Sequence, residues 1–283
     1  MPAIWMNHAA TSWPKPPGVA ERMRAALEAF PHEPGRSAGA GHRVDPAEAC
    51  RGLLAELLRA PDPRRIALLP GATQALNTAI HGAVRTLERA RRPVHCLTST
   101  LEHNSVLRPL RHLAAEERIR LQFVGREEFE DPDALAARLR HGVDLAVLTA
   151  CSNVTGARLD LEAAARECTA AEVVLVIDAA QAGGVIPLDA GRLPARSLLA
   201  LAGHKGLLGP AGIGALWVGG GFSEDELPPL VTGGTGVRSD APLHPAGWPL
   251  HFEAGTPNGP GIAGLAAGLE HVRAEGLAHK HDT

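Results

Sequence analysis

Lysine is scarce in this chain, although basic residues in general are not. Only three of its 28 basic side chains are lysines, at Lys15, Lys205 and Lys280. Arginine stays protonated in proteins and cannot attack a carbonyl group, whereas a lysine amine can. Lys205 is the one lysine well inside the sequence, so its retention where the chain otherwise uses arginine indicates a need for an amine. A surface lysine kept by chance is the alternative interpretation.

Long apolar runs and basic stripes are also missing. The longest apolar stretches, such as Val173–Ile177, have the length of a strand and fall far short of the roughly 20 residues that a membrane span needs. No basic segment followed by an apolar core opens the sequence, so we expect no secretory signal, no membrane association and a cytoplasmic location. The net charge of −3, without a basic patch, argues against a nucleic-acid partner.

Cysteine is sparse and unpaired in the sequence. The four cysteines have neither Cys-x-x-Cys spacing nor an accompanying histidine pattern, which argues against a zinc site or a disulfide framework. We therefore expect no metal and predict reduced, mostly buried thiols. These residues are Cys50, Cys96, Cys151 and Cys168.

Helical and strand patterns alternate from about residue 46 onward. The predicted strands are Ile66–Leu69, Val94–Thr98, Leu121–Val124, Leu145–Thr149, Val173–Ile177, Ser197–Leu201 and Ile213–Val218. The predicted helices are Ala47–Arg59, Gly71 to about Glu88, Asn104–Ala115, Pro132–Arg140 and Leu161–Ala170. Such alternation predicts an α/β fold with a mostly parallel sheet and helices on both faces. In this kind of sheet, ligands bind at the carboxyl ends of the strands.

Polar or glycine-rich clusters follow several of these strands. The turn Pro70–Thr73 leads into a helix, and the N–H groups at a helix N-terminus favour phosphate. His103 and Asn153 follow two other strands. Each of these signals alone is also typical of an ordinary loop.

Two further strand ends carry stronger signals. Asp178 ends a wholly apolar strand, where a buried carboxylate needs a cation or hydrogen-bond donors; a pyridinium nitrogen, a metal ion or an arginine would each serve. Lys205 lies in the segment Gly203–Gly206, whose glycines let the backbone turn sharply and approach a ligand. The segment lacks the spacing of a nucleotide-binding P-loop.

In this order on successive strand ends, the clusters resemble the class V aminotransferase-fold enzymes that depend on pyridoxal 5'-phosphate (PLP). Cysteine desulfurases and selenocysteine lyases are the most similar members. The resemblance runs from Asn7–Thr11 through Ser152–Gly156, Asp178–Gln181 and Gly203–Pro210 to Phe252–Asn258, with Gly261–Leu265 after it. It implies a type I PLP-dependent transferase fold, with an N-terminal segment at 1–15, a PLP-binding large domain at 16–260 and a truncated start of the small domain at 261–283.

The resemblance also implies a role for each matching residue. Lys205 would bind PLP covalently as a Schiff base and move protons at the substrate α-carbon. Asp178 would pair with the pyridine nitrogen, while Gln181 and Asn153 would bond the phenolic oxygen of the ring. His103, the second residue implied to be catalytic, would stack on the ring face.

The phosphate has its own set of residues in this resemblance. Ala72 and Thr73 would hold it at the helix N-terminus, together with His204. Thr256 would reach the phosphate of a neighbouring subunit, so a homodimer is part of the expectation. Ala202 stands where relatives usually have a hydroxyl bonding the phosphate, and the loss of that bond should weaken cofactor binding by about 1–2 kcal/mol.

A second departure concerns the sulfur chemistry. Relatives continue well beyond the match to Gly261–Leu265, and that further stretch carries the mobile-loop cysteine that attacks the substrate sulfur and the arginine that binds the substrate carboxylate. We therefore expect the C-terminal region to be largely absent. Cys151 is the best resident substitute, but a fixed thiol at a strand end lacks the swinging loop that persulfide chemistry uses.

Three functional hypotheses follow. The first is a cysteine-desulfurase-like enzyme that converts L-cysteine to L-alanine and passes sulfur to a cysteine from outside this chain, with a sulfur-acceptor protein as a possible partner. The second is another class V reaction on a small amino acid: selenocysteine or sulfinate lysis, β-elimination or transamination. The third is a catalytically silent PLP-binding remnant. The first two share Lys205, Asp178 and His103, so the sequence does not separate them.

Overall fold

In the part of the chain that a computed structural model describes, the fold is a seven-stranded sheet with helices on both faces. The structure describes residues 4–29, 45–88, 92–235 and 242–277. Its helices are α1 (Pro17–Glu28), α2 (Pro46–Leu58), α3 (Ala72–Leu87), α4 (Asn104–Ala115), α5 (Arg126–Glu130), α6 (Pro132–Leu139), α7 (Leu161–Ala170) and α8 (Gly259–Glu275). Its strands are β1 (Ile66–Leu69), β2 (Val94–Ser99), β3 (Ile119–Val124), β4 (Leu145–Thr149), β5 (Val174–Asp178), β6 (Ser197–Ala202) and β7 (Gly214–Val218).

The sheet has the order β1-β7-β6-β5-β4-β2-β3. The pairs from β6 across to β3 are all parallel, whereas β7 runs antiparallel to both of its neighbours, β1 and β6. The register sets Thr149 beside Asp178 and Asp178 beside Ala200. Because the carboxyl ends of parallel strands meet at one edge, this register gathers the polar residues that follow the strands. The mostly parallel α/β sheet predicted from the sequence is confirmed.

Each face of the sheet carries its own apolar core. One core includes Leu54 and Leu58 of α2 and Leu265 of α8, and the other includes Ile80 of α3 and Leu110 of α4. Full burial of one such side chain is worth about 1.5–3 kcal/mol. The two cores hold the strand ends in fixed positions, and this makes that edge of the sheet a rigid base for a site.

Local signals explain why the first predicted helix begins and ends where it does. Asp45 caps α2 by accepting a hydrogen bond from the backbone N–H of Ala47, and Pro46 occupies the first helical position, where its missing N–H costs nothing. The helix ends at Arg59, which adopts the left-handed conformation with φ 50°.

Helix α8 lies against the loop that follows Lys205 as well as against the helices near it. It packs on α1 and α2, and its Gly268 lies against the backbone of Leu207: an added Cβ would come 2.5 Å from the Leu207 carbonyl oxygen. The proposed domain boundary at residue 261 falls inside α8, and the division of the chain into three parts stays a prediction. Among the described residues, no helix is both long and apolar enough to cross a bilayer.

Candidate active site

A cavity of about 600 Å³ opens at the carboxyl ends of the strands, where the sequence predicts it. It gathers every residue named above for the cofactor except Thr256. The members of that set lining the cavity are Ala72, Thr73, His103, Asn153, Asp178, Gln181, His204 and Lys205. Asn7, Ala9 and Ala10 of the N-terminal segment line it as well.

One end of the cavity is formed by the turn from β1 into α3. Gly71 is the N-cap residue at φ 126°, and no side chain caps the helix, so the first N–H groups of α3 are open toward the cavity. A Cβ at Gly214 would come 2.7 Å from the Cα of Gly71, so the turn and β7 approach as closely as glycine allows. Uncapped N–H groups at a helix N-terminus favour a bound anion. Ala202 lines this cavity without a hydroxyl, as its sequence implies.

Asp178 lies at the floor of the cavity, only 4% exposed. Its Oδ1 accepts a hydrogen bond of 2.9 Å from the backbone N–H of Ala180. Burial raises the pKa of this carboxyl above its ordinary value, and the hydrogen bond from Ala180 and the charge of Lys205 oppose that rise. A buried carboxylate in this setting gains from a cation placed in the cavity above it.

Lys205 lies half-buried in the same cavity. Burial lowers the pKa of its amine, while the charge of Asp178 acts in the opposite direction. A lowered pKa leaves more of the amine unprotonated and able to attack a carbonyl carbon. The flanking glycines are required by packing: a Cβ at Gly206 would come 2.5 Å from the Gly183 carbonyl oxygen, and one at Gly203 would come 2.6 Å from the Ile213 carbonyl oxygen.

His103 is the N-cap residue of α4, and this fixes its ring. Its Nδ1 accepts a hydrogen bond of 3.1 Å from the backbone N–H of Ser105 and lies 2.7 Å from the Ser105 hydroxyl. A neutral imidazole whose Nδ1 accepts carries its proton on Nε2. The capping interaction therefore determines both the orientation and the tautomer of His103.

The N-terminal segment closes another side of the cavity. Gln181 donates a hydrogen bond of 2.9 Å from its side-chain amide to the Ala9 carbonyl oxygen, which ties residues 7–10 to the turn after β5. Asn153 lines the cavity from an exposed turn after β4. The bonds of Gln181 and Asn153 to a cofactor ring stay predictions.

Thr256 does not line the cavity. It is exposed, in a loop held by a hydrogen bond of 2.7 Å from the Gly255 N–H to the Gly234 carbonyl oxygen. The role implied for Thr256 reaches into a neighbouring subunit, and that role stays a prediction.

Cys151 lines the cavity half-buried, and its thiol lies 3.7 Å from the Gly156 carbonyl oxygen. Burial raises the pKa of this thiol, and the charge of Arg158 opposes the rise only in part. The other three cysteines are buried and all four are free, as the sequence predicts. Burial raises the pKa of Cys50 and of Cys168 to about 12, so neither is a thiolate at neutral pH.

Sequence reasoning assigned no role to Glu102, which is buried at 7% exposure beside the cavity wall. Its Oε1 accepts hydrogen bonds of 2.6 Å from the Ser99 hydroxyl and 2.9 Å from the Thr149 N–H, whereas Oε2 is buried without a partner. Burial raises the pKa of Glu102 to about 8. The signal in the sequence is a glutamate three residues after the end of β2, next to His103.

Sequence reasoning also missed a set of hydrogen-bond donors on the N-terminal segment. Thr11, Ser12 and Lys15 all donate to the carbonyl oxygen of His204. The near-absence of lysine singles out Lys15 in the sequence, but the sequence does not indicate what its amine contacts.

Comparison with known proteins places this geometry in a family. The family model for class-V aminotransferases matches residues 4–283. A probable cysteine desulfurase of Pyrococcus abyssi is 31% identical over 232 residues, which is 81% of this chain and 57% of the relative. The cysteine desulfurase IscS of Vibrio atlanticus is 32% identical over 260 residues, which is 89% of this chain and 59% of the relative.

The fold matches solved structures as well. The apo structure of a cysteine desulfurase from Thermococcus onnurineus NA1 superposes with a TM-score of 0.83 at 28% identity, over 97% of this chain and 68% of that one. The chain spans little more than half the length of the curated relatives that it matches. Its fold, the site at the strand ends and the family match together show that the chain belongs to the class-V aminotransferase family.

Proposed function

We propose that the chain binds PLP covalently through Lys205 and acts as a cysteine-desulfurase-like enzyme on L-cysteine, with L-alanine as a product. The observation that carries the proposal is the content of one cavity: a half-buried amine, a buried carboxyl and an uncapped helix N-terminus. PLP presents an aldehyde, a pyridine nitrogen and a phosphate. The cavity residues therefore fit the cofactor group by group.

When bound, PLP supplies the electron sink that stabilises negative charge at the substrate α-carbon. Asp178 would hold the pyridine nitrogen in its protonated form, because a buried carboxylate gains from a cation at contact distance. The open N–H groups of Ala72 and Thr73 would bind the phosphate at the α3 N-terminus, and His204 would join them.

Lys205 has two tasks in this proposal. Its amine would hold the cofactor covalently, and the same amine, when free, would move the proton at the substrate α-carbon. The lowered pKa of Lys205 suits this work, since a base acts only in its unprotonated form. His103 would lie against the cofactor ring in the tautomer that its capping bonds set.

The sulfur step needs a nucleophile that the cavity does not offer in a mobile form. The Cys151 thiol is held by its turn and has a raised pKa, so we assign the sulfur to a cysteine outside these 283 residues. We further propose a homodimer, a sulfur-acceptor protein as partner, and a cytoplasmic location. The homodimer is supported by the position of Thr256, which is exposed and outside the cavity of its own chain.

The test is an absorbance spectrum of the purified protein with PLP, before and after addition of L-cysteine, alongside Lys205→Ala. We expect a visible band that the variant lacks and that changes with L-cysteine while alanine accumulates. Pyruvate or a keto acid in place of alanine would assign another class V reaction, and a band indifferent to every small amino acid would leave a silent PLP-binding protein. Absence of the band in the wild-type chain would overturn the proposal.

A further inference from the structure

The carbonyl oxygen of His204 accepts an unusual number of hydrogen bonds. The Thr11 hydroxyl donates to it at 3.0 Å, the Ser12 hydroxyl at 3.1 Å and the Lys15 amine at 2.7 Å. The backbone N–H of Ser12 adds a fourth at 3.1 Å. All four donors come from residues 11–15, nearly two hundred positions away in the sequence.

Lys15 organises this group of donors. Its amine also donates to the Ser12 hydroxyl oxygen at 2.7 Å, so the Ser12 hydroxyl accepts from Lys15 while it donates to the His204 carbonyl. Ser12 is 5% exposed and Lys15 is partly buried. Hydrogen bonds from a charged donor in a partly dry setting are stronger than neutral ones.

The carbonyl that they hold belongs to the peptide bond between His204 and Lys205. Because the peptide group is planar, fixing its oxygen also fixes the plane in which the Lys205 N and Cα lie, and this limits the directions that the Cα–Cβ bond of Lys205 can take. The close packing of Gly203 and Gly206 limits the backbone on both sides of this peptide. The N-terminal donors oppose rotation of the peptide plane, because that rotation would move the His204 carbonyl oxygen away from them.

From this geometry we propose that Lys15 is a positioning residue for Lys205: acting through the His204 carbonyl oxygen, with Ser12 and Thr11, it sets how the Lys205 amine is presented in the cavity. The chain uses arginine at nearly all its basic positions and lysine at position 15. A compact ammonium can donate to two neighbouring oxygens at 2.7 Å, whereas a planar guanidinium spreads its donors apart. The inference rests on the proposed function of Lys205 as the cofactor lysine.

The experiment compares Lys15→Met, Lys15→Arg, Ser12→Ala and Thr11→Val with a matched control. Arg24→Met removes a basic side chain from the adjoining helix α1 that is 74% exposed and outside the cavity. The first readout uses the apo protein: an amine-directed reagent is applied across a pH series, and labelling of Lys205 is measured by mass spectrometry relative to Lys280 in the same sample. The second readout is the rate at which the visible band appears after addition of PLP.

For Lys15→Met we expect a displaced pH profile of Lys205 labelling and cofactor uptake slowed about tenfold, which corresponds to a change of about 1.4 kcal/mol in the barrier. Lys15→Arg keeps a charged donor and should fall between Lys15→Met and the wild type. Ser12→Ala and Thr11→Val each remove one donor, so they should shift both readouts in the same direction by a smaller factor. Arg24→Met should match the wild type.

The inference would be overturned if Lys15→Met has a lower melting temperature but keeps the wild-type labelling profile and uptake rate. Lys15 would then be a purely structural residue. If Lys15→Met does not fold, wild-type behaviour of both Ser12→Ala and Thr11→Val overturns it equally. If the wild-type chain takes up no PLP, the proposed function is overturned. The labelling of Lys205 in the apo protein would still decide whether Lys15 positions it.

Discussion

Arg51 and Glu253 form a buried ion pair along the outer edge of strand β1. The Arg51 Nη2 donates to both carboxylate oxygens of Glu253, at 2.8 and 2.6 Å. Arg51 also donates to the Ile66 carbonyl oxygen, and Glu253 accepts from the Leu68 N–H. Since β1 is an edge strand of the described sheet, the pair satisfies backbone groups on the side of β1 where no described strand lies.

Breaking this pair from one side should be costly. Arg51→Met leaves the Glu253 carboxylate in a largely buried place, and we expect a loss of about 3–5 kcal/mol in the free energy of unfolding, measured by urea denaturation. The double variant Arg51→Met with Glu253→Met should lose less than the sum of the two single variants.

The matched control is the exposed ion pair of Arg273 and Glu56, in which Arg273 Nη1 lies 3.2 Å from Glu56 Oε2. Arg273→Met should cost only about 0–1 kcal/mol, because solvent screens the charges. Equal losses for Arg51→Met and Arg273→Met would contradict the role given to the buried pair.

The raised pKa of the buried Glu102 carboxyl leads us to expect that the stability of the protein depends on pH. Its pKa rises on folding from 4.5 to about 8, so the unfolded chain releases this proton at lower pH than the folded chain does. The stability contributed by the protonated carboxyl is therefore full below about pH 4.5 and is lost as the pH rises through about 8. Relative to Glu102→Gln, the wild type should lose stability between pH 5 and pH 9, as measured by urea midpoints of the apo protein.

Glu127→Gln serves as the control for that series, since Glu127 is exposed on the short helix α5. Its unfolding midpoints should follow the wild type at every pH. If the midpoints of Glu102→Gln also ran parallel to the wild type, Glu102 would have an ordinary pKa and the account of its burial would be wrong.

A substitution at Gly206 tests whether the backbone around Lys205 can accommodate an added side chain. Gly206→Ala would place a Cβ 2.5 Å from the Gly183 carbonyl oxygen and 2.5 Å from Val185 Cγ2. We expect a loss of about 1–3 kcal/mol in stability from overpacking and a marked loss of PLP uptake, since the segment must shift.

A glycine in open space provides the comparison. Gly52 is exposed on α2, and a Cβ added there would meet no atom within 4 Å. Gly52→Ala should therefore raise stability by up to about 1 kcal/mol through helix propensity and leave PLP uptake unchanged. An uptake rate for Gly206→Ala equal to that of Gly52→Ala would show that the close approach is not needed.

The strand ends were predictable because the local sequence indicates both the strand and the residue at which it ends. Asp178 follows five apolar residues, and Lys205 lies among glycines that follow a predicted strand. These local patterns placed both residues at the correct edge of the sheet. Helix α8 was not predicted, because it begins with Gly-Pro-Gly and is apolar on nearly every side. The structure explains that pattern, since α8 is enclosed by α1, α2 and the loop after Lys205.

The hydrogen-bond donors to the His204 carbonyl oxygen could not be predicted from the sequence, for a different reason. Lys15 and His204 are 189 positions apart, and no local pattern records a contact between two irregular segments. The same holds for Glu102, whose high pKa depends on the cavity wall around it rather than on its neighbours in the sequence.

The glycine contacts of α8 have a mechanical consequence. The 17 residues of α8 form a rod about 25 Å long, and at Gly268 the rod touches the Leu207 backbone with no side chain between them to absorb a displacement. Any force that tilts or slides the C-terminal end of α8 must therefore be transmitted to the segment that carries Lys205. We therefore expect a displacement at the C-terminal end of α8 to change the position of the Lys205 amine.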